Sequence, residues 1–448
     1  MLHYVEDDHF DNYHIIEPLG EGGMGVVYKV TTSDEQNEYA LKYCKYMDEG
    51  SLRRFKREVR AIRNIDHGNV MKIINMNLEH SPPYYVMGLA SYSAYDVLDE
   101  LAINHERAIE IFLDVCKGVQ ALHNAGQCHR DIKPQNIMVM ENGTVVVSDF
   151  GLVKFVERDS TVLTKTMALI GTEIYMAPEQ FLPEGARNAD AKTDIYQLGK
   201  TLYQLYTGKF PALLSDEGVP AGLWYIIQKA VRQNPKERFD NVAELIDSIH
   251  DFKASLDPQH NPEKAFSLVI QEINDKLRNN VYEKRNIETL VLLLMSVSND
   301  DEFFLQLFDQ IPITLLQAAV SDMSDDVEPL LWKYSEIIER YIKQKHFGYA
   351  EVVANKMDEL YRYSNNLSIK QAALESILCA AVDLNRFKAM NVFNSILIRV
   401  SAQEEALMVT DVLRKHMTRY QYVYSQVSKG QLHVMLHPVW ELANKIKV

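Results

Sequence analysis

The sequence predicts two domains in tandem, an α+β domain followed by an all-α domain, and three observations carry this. Strand-like runs rich in β-branched and aromatic residues crowd residues 10–90 around a glycine-rich turn. An amphipathic helix over about Glu106 to Asn124 and an apolar helix opening at Asp194 follow. Past Leu256-Asp-Pro-Gln-His-Asn-Pro262 two prolines break the pattern, and residues 263–448 hold very little Gly or Pro and read as successive helices. A chain of 448 residues has room for two or three such domains.

Composition narrows the class. A net charge of −15 argues against a nucleic-acid partner or attachment to an anionic membrane. Cys44, Cys116, Cys128 and Cys379 form no CxxC pair, as expected in a reducing cytosol and not in a disulfide or structural zinc framework. Residues 1–9 form a short, acidic N-terminal extension without the basic-then-apolar pattern of a signal peptide. The most apolar run, Leu290 to Val297, is too short to cross a bilayer. The expected location is therefore the cytoplasm.

In order, Tyr13 to Leu19 and Val26 to Val30 read as strands flanking Gly20, Gly22 and Gly25. Because the glycines run into a second strand and not into a helix, they sit at a hairpin tip, where backbone N–H groups can approach phosphates. The next strand carries Ala40 and Lys42, a lysine set among apolar neighbours that needs a partner. Glu58 offers one, beside the helical stripe of Leu52, Phe55, Val59, Ile62 and Ile65. Two further strands follow, the second being Tyr84 to Met87. Gly88-Leu89-Ala90 then reads as the connection between the two halves of the domain, its backbone available to a flat heterocycle, with Met87 either bordering that pocket or serving as a core methionine. An amphipathic helix over about Glu106 to Asn124 delivers the chain to Cys128-His-Arg-Asp-Ile-Lys-Pro-Gln-Asn136. That loop brings together a carboxylate, Asp131, an ammonium, Lys133, and an amide, Asn136. These can accept a hydroxyl proton, steady a phosphoryl group and help hold a divalent metal. The strand Val145 to Val147 then leads into Asp149-Phe150-Gly151, a second carboxylate suited to metal.

These motifs resemble the eukaryotic-type serine/threonine protein kinases in their bacterial form, over roughly residues 10–255. The matching positions are Gly20-x-Gly22-x-x-Gly25-x-Val27, Ala40-Leu41-Lys42, Glu58, His129 to Asn136, Asp149-Phe150-Gly151, Gly171-Thr172, Ala177-Pro178-Glu179, Asp194 and Arg238. The resemblance implies a bilobal protein-kinase fold, with a β-rich small lobe at 10–90 and a helical large lobe at 91–255. It implies ATP with Mg²⁺ or Mn²⁺ as cofactors. Leu19, the three glycines, Val27, Ala40, Met87 and Leu89 would enclose the nucleotide, and Lys42, paired with Glu58, would meet its α- and β-phosphates. Asn136 and Asp149 would hold metal. Asp131 would be the catalytic base. Lys133 and Thr172 imply a Ser/Thr acceptor on a protein substrate. Glu179 and Arg238 would form a buried ion pair, and Asp194 would brace the catalytic loop. Arg130 implies control by phosphorylation of the activation loop, with Thr164 and Thr166 as the expected sites, Ser160 and Thr161 as further candidates, and a homodimer as the arrangement for phosphorylation in trans.

Two departures stand out. Gly88 occupies a position where relatives usually carry an acidic residue. After Lys209-Phe210-Pro211 the chain is too short for the extra helix and long loop that relatives insert before Leu223 to Val231. After the linker at 256–262, helices are expected at about 263–279, 286–298, 301–308, 325–344, 347–363, 367–382, 385–399, 402–418 and 432–446. Pairs recurring at roughly forty residues suit a HEAT- or TPR-like array, though no consensus repeat is present. This domain carries no chemical motif, and Tyr420, Tyr422 and Tyr424 read as a packing stripe. Its expected role is regulation or partner binding. The rival readings are a nucleotide-binding pseudokinase scaffold, opposed by the complete set Lys42, Glu58, Asp131, Asn136 and Asp149, and a small-molecule kinase, opposed by Ala177-Pro178-Glu179.

Overall fold

The computed structural model describes residues 9–22, 25–32, 37–149, 173–182, 190–255, 262–278 and 283–445. It divides into two compact units, Met1–His250 and Asp251–Val448. The division falls within the helix Val242–Ser255, a few residues before the polar stretch 256–262.

The first unit opens with a six-stranded antiparallel sheet. Its strands are β1 (His9–Phe10), β2 (Tyr13–Glu21), β3 (Gly25–Thr32), β4 (Glu38–Cys44), β5 (Ile73–Asn77) and β6 (Tyr84–Gly88), in the order β1-β2-β3-β4-β6-β5. Period-two alternation drives Tyr28 and Val30 of β3 inward, where they join Phe10, Ile15, Leu41, Tyr43 and Val86 in one core. Tyr43 stacks between Phe10 and Tyr28, with ring centroids 5.4 Å and 6.0 Å away. Helix α1 (Glu49–Ile62) starts where the Asp48 side chain accepts the Ser51 N–H at 2.9 Å. It buries Phe55, Val59 and Ile62, the stripe its sequence displays.

One residue, Leu89, separates β6 from β7 (Ala90–Ser93), which pairs with β8 (Ile137–Met140) and β9 (Val145–Val147) in a second, small sheet. Neither β7 nor β8 is marked in the sequence, because strands of four residues show too little alternation to detect. Short α2 (Leu98–Leu101) is followed by α3 (His105–Asn124), α4 (Ala191–Thr207), α5 (Ala221–Ala230) and α6 (Val242–Ser255). Asn69 fastens β9 from the side: its carbonyl accepts the Val147 N–H at 3.0 Å and its amide donates to the Val145 carbonyl at 2.8 Å. The same carbonyl would lie 2.3 Å from a Cβ at position 118, so α3 can approach only with glycine there.

The second unit is helical, with helices at Pro262–Arg278, Lys284–Ser296, Asp301–Asp309, Ile313–Asp322, Ser324–Tyr341, Tyr349–Tyr363, Leu367–Asp383, Phe387–Arg399, Gln403–Lys415, Met417–Val423 and His437–Lys445. Ile313–Asp322 corrects the sequence reading. It buries Leu315, Leu316, Ala319 and Val320 and exposes Thr314, Ser321 and Asp322, a pattern confined to ten residues. The expected helix at 432–446 is also shorter: Pro438 belongs to its first turn, and short 3₁₀ turns precede it. Tyr420 and Tyr424 are core residues, while Tyr422 is 69% exposed. Among the described residues no single helix is long and apolar enough to cross a membrane.

Candidate active site

The catalytic loop lies between α3 and β8 and is held chiefly by α4. Asp194, fully buried in the first turn of that helix, accepts the backbone N–H of His129 at 2.8 Å through Oδ2 and that of Arg130 at 2.7 Å through Oδ1. His123, from the last turn of α3, reaches the same Oδ2 at 2.8 Å. These bonds hold Arg130 at φ +69°, in the left-handed region. His129 is 1% exposed, and burial lowers its pKa, so the ring is neutral. It accepts the Asp131 N–H through Nδ1 at 3.3 Å and donates from Nε2 to the Ser148 carbonyl at 2.9 Å, joining the loop to the end of β9.

Around this frame the polar side chains converge. Lys133 Nζ lies 2.9 Å from Asp131 Oδ2. Asn136 donates from Nδ2 to the Asp131 carboxylate at 2.9 Å and to its carbonyl at 2.7 Å, which turns its amide oxygen away from Asp131. Asp149, at φ +57°, forms an ion pair with Lys42, which is 5% exposed at the centre of β4 opposite Val27 and Tyr85. Burial pushes the Asp149 carboxyl up, but the Lys42 ammonium outweighs it and leaves the pKa below the ordinary value. The expected partner of Lys42, Glu58, stands on α1, but its side chain lies outside the described residues.

Hard oxygen donors suit Mg²⁺ or Mn²⁺, and the Asp149 carboxylate and the Asn136 amide oxygen are donors of that kind. The residues present therefore fit the metal that the motif implies.

Near the loop, Glu179 and Arg238 make a two-pronged pair, at 2.7 Å and 2.9 Å, with Thr193 adding a bond of 2.9 Å to Glu179. Burial pushes the Glu179 carboxyl up, but the bonds from Arg238 outweigh it and leave the pKa below the ordinary value. Arg238 also packs over the Tyr196 ring at 4.9 Å. On the nucleotide side, Gly20 pairs with Val27 across the hairpin, and a Cβ at Gly25 would lie 2.8 Å from the Tyr43 carbonyl and 3.0 Å from the Lys42 side chain. Ala40 and Met87 are partners on β4 and β6, and Leu19 is 47% exposed on β2. At Gly88 a Cβ would stand 2.8 Å from Met140 Cε, so the space an acidic side chain would need is taken by a methionine from β8. Thr164, Thr166 and Thr172, with Ser160 and Thr161, lie outside the described residues.

Two positions escaped the sequence reading. Gln197 bonds to the catalytic loop on both sides of Asp131, and Lys200 reaches the Pro211 carbonyl at 2.7 Å, securing the shortened connection. For Gln197 the available signal was spacing: Asp194, Gln197 and Thr201 share one face of a largely buried helix.

The model of the protein kinase domain matches residues 13–269. A probable serine/threonine-protein kinase of Clostridium perfringens is 31% identical over 268 residues, covering 54% of this chain and 38% of that protein. The serine/threonine-protein kinase PknB of Mycobacterium tuberculosis is 29% identical over 264 residues, covering 52% of this chain and 42% of that protein. The chain thus spans less than half the length of these relatives. Among solved structures, the kinase domain of Mycobacterium tuberculosis PknI aligns with 20% identity and a TM-score of 0.43, covering 56% of this chain and 99% of that one.

Proposed function

This chain belongs to the protein kinase domain family, and from that premise we propose that it transfers the γ-phosphoryl group of ATP to serine or threonine hydroxyls of a cytoplasmic protein. The observation that carries the proposal is that the Asp131–Lys133–Asn136 cluster of one loop and the Lys42–Asp149 ion pair lie near enough for the Lys133 charge to act on Asp149. Mg²⁺ or Mn²⁺, when bound, neutralises phosphate charge. Asp131 accepts the proton of the attacking hydroxyl as the new O–P bond forms and the bond to ADP breaks. Lys133, beside Asp131, steadies the transferring group, and Lys42 orients the phosphates.

Autophosphorylation at Thr164 and Thr166 is part of the proposal. A phosphate there would gain charge-assisted hydrogen bonds from Arg130, and a homodimer would serve transfer in trans. The helical unit is proposed to regulate the kinase or recruit its partner, a role in keeping with its lack of chemical motifs. Incubation with labelled ATP and Mg²⁺ tests the reading. Wild-type protein should label itself and an acceptor protein, and Asp131→Asn should reduce the rate by about 10²–10⁴-fold while retaining the fold. Nucleotide binding without labelling in either would favour the scaffold.

A further inference from the structure

Asp131 is flanked by two backbone groups, the carbonyl of Arg130 and the N–H of Ile132, and one side chain meets both. Gln197 is 1% exposed on α4. Its Oε1 accepts the Ile132 N–H at 2.8 Å, and its Nε2 donates to the Arg130 carbonyl at 2.9 Å. The second hydrogen on Nε2 faces Gln180 Oε1 at 3.2 Å, and that oxygen also accepts the Ala177 N–H at 2.8 Å. A single amide therefore engages the catalytic loop on both sides of its carboxylate and continues into the Ala177–Gln180 segment.

The conformation of Arg130 explains why such a clamp matters. Its positive φ is costly for a non-glycine residue and persists only where the surroundings over-determine it. Asp194 holds the Arg130 N–H, and Gln197, one turn further along the same helix, holds the carbonyl. Both backbone polar groups of the strained residue before Asp131 are thus fixed from one rigid element.

We propose that Gln197 is a positioning residue for phosphoryl transfer, setting the orientation of Asp131 through the peptide groups on either side and tying that orientation to the Ala177–Gln180 segment. The inference rests on the kinase reading above. Proton acceptance demands close approach of the carboxylate to the hydroxyl, and a displacement of about 1 Å costs on the order of 10²-fold. Without the amide, Asp194, Lys133 and Asn136 keep their own contacts. Nucleotide binding is then preserved while turnover falls.

The test compares full-length wild type with Gln197→Met, Gln180→Leu and the double variant. The readouts are transfer from labelled ATP to casein and to the protein itself, KM for ATP, and melting temperature. We expect Gln197→Met to lower kcat by about 10- to 100-fold with KM for ATP and melting temperature little changed. Gln180→Leu should lower kcat less, and the double variant should be no slower than Gln197→Met alone, because both act through one chain of bonds. Should Gln197→Met fail to fold, Gln197→Glu serves in its place, retaining the acceptor for Ile132 while losing the donor to Arg130. An inactive wild type removes the kinase reading and this inference with it. An active wild type alongside a Gln197 variant within twofold of its kcat overturns the inference alone, as does a loss of kcat that only follows lost ATP affinity and melting temperature.

Discussion

Two buried carboxylates, one in each unit, do opposite kinds of work. Asp194 accepts two backbone N–H groups of an irregular loop, at 2.8 Å and 2.7 Å. Glu375, equally hidden in the helix Leu367–Asp383, accepts from side chains: Gln371 at 2.9 Å, Lys415 at 2.7 Å and His416 at 3.2 Å. The first arrangement lets a helix dictate the shape of a loop that has no regular hydrogen bonding of its own. The second links one helix to another whose backbone is already satisfied. A charge of the first kind governs chemistry, and one of the second kind governs cohesion.

Asp194→Asn should break this contrast most severely. One loop N–H would then face an amide NH₂, so stability should fall by about 2–5 kcal/mol and kcat by on the order of 10²-fold or more. Denaturant titration and turnover measured on the same preparation check this. Full activity with reduced stability would erase the distinction between the two carboxylates.

Glu375→Gln should affect stability alone. Burial by itself would push the Glu375 carboxyl up, but hydrogen bonds from His416, Gln371 and Lys415 pull its pKa down to about 2 from an ordinary value of 4.5. A carboxylate with a lowered folded-state pKa contributes in full above its unfolded value. The stability gap between wild type and Glu375→Gln should therefore be complete above pH 4.5 and close as the pH falls towards 2. About 3 kcal/mol is the expected upper bound, read as a denaturant midpoint across that range, with turnover at neutral pH within twofold of wild type. A gap that does not depend on pH would show that Glu375 acts through packing and not through charge.

The smallest effect is expected at a pair that does neither job. Glu49 and Arg53 form an i,i+4 bridge on α1 with side chains 87% and 75% exposed. Glu49→Ala should change stability by less than about 0.5 kcal/mol, measured by thermal melting, and should leave turnover unchanged.

Legibility followed sequence distance. The strands around Gly20 to Gly25, the stripe of α1 and the residues of the catalytic loop could be read because their patterns repeat within a few positions. The helix Ile313–Asp322 could not, since it is only ten residues long and its pattern has little room to repeat. Gln197 was passed over because it is one of several buried polar residues on its helix, with Thr193, Asp194, Lys200, Thr201 and Gln204, and spacing marks the face they share but not the group each will touch. Gly88 was noticed as a departure, but the Met140 side chain that stands over it comes from a strand some fifty residues later and belongs to the folded chain alone.

The sequence by itself determined the class of the first unit and which carboxylate, ammonium and amide groups its motifs offer, because chemical identity and short spacing are written directly in the chain. Tertiary structure decided which groups pair: Lys42 with Asp149, His129 and Arg130 with Asp194, and both flanks of Asp131 with Gln197. The physical reason is that a buried charge or peptide group must find a partner, yet several candidates of the right type are always present. Only the packing of α4 against the loop, and of β4 against the end of β9, brings one of them within hydrogen-bonding distance.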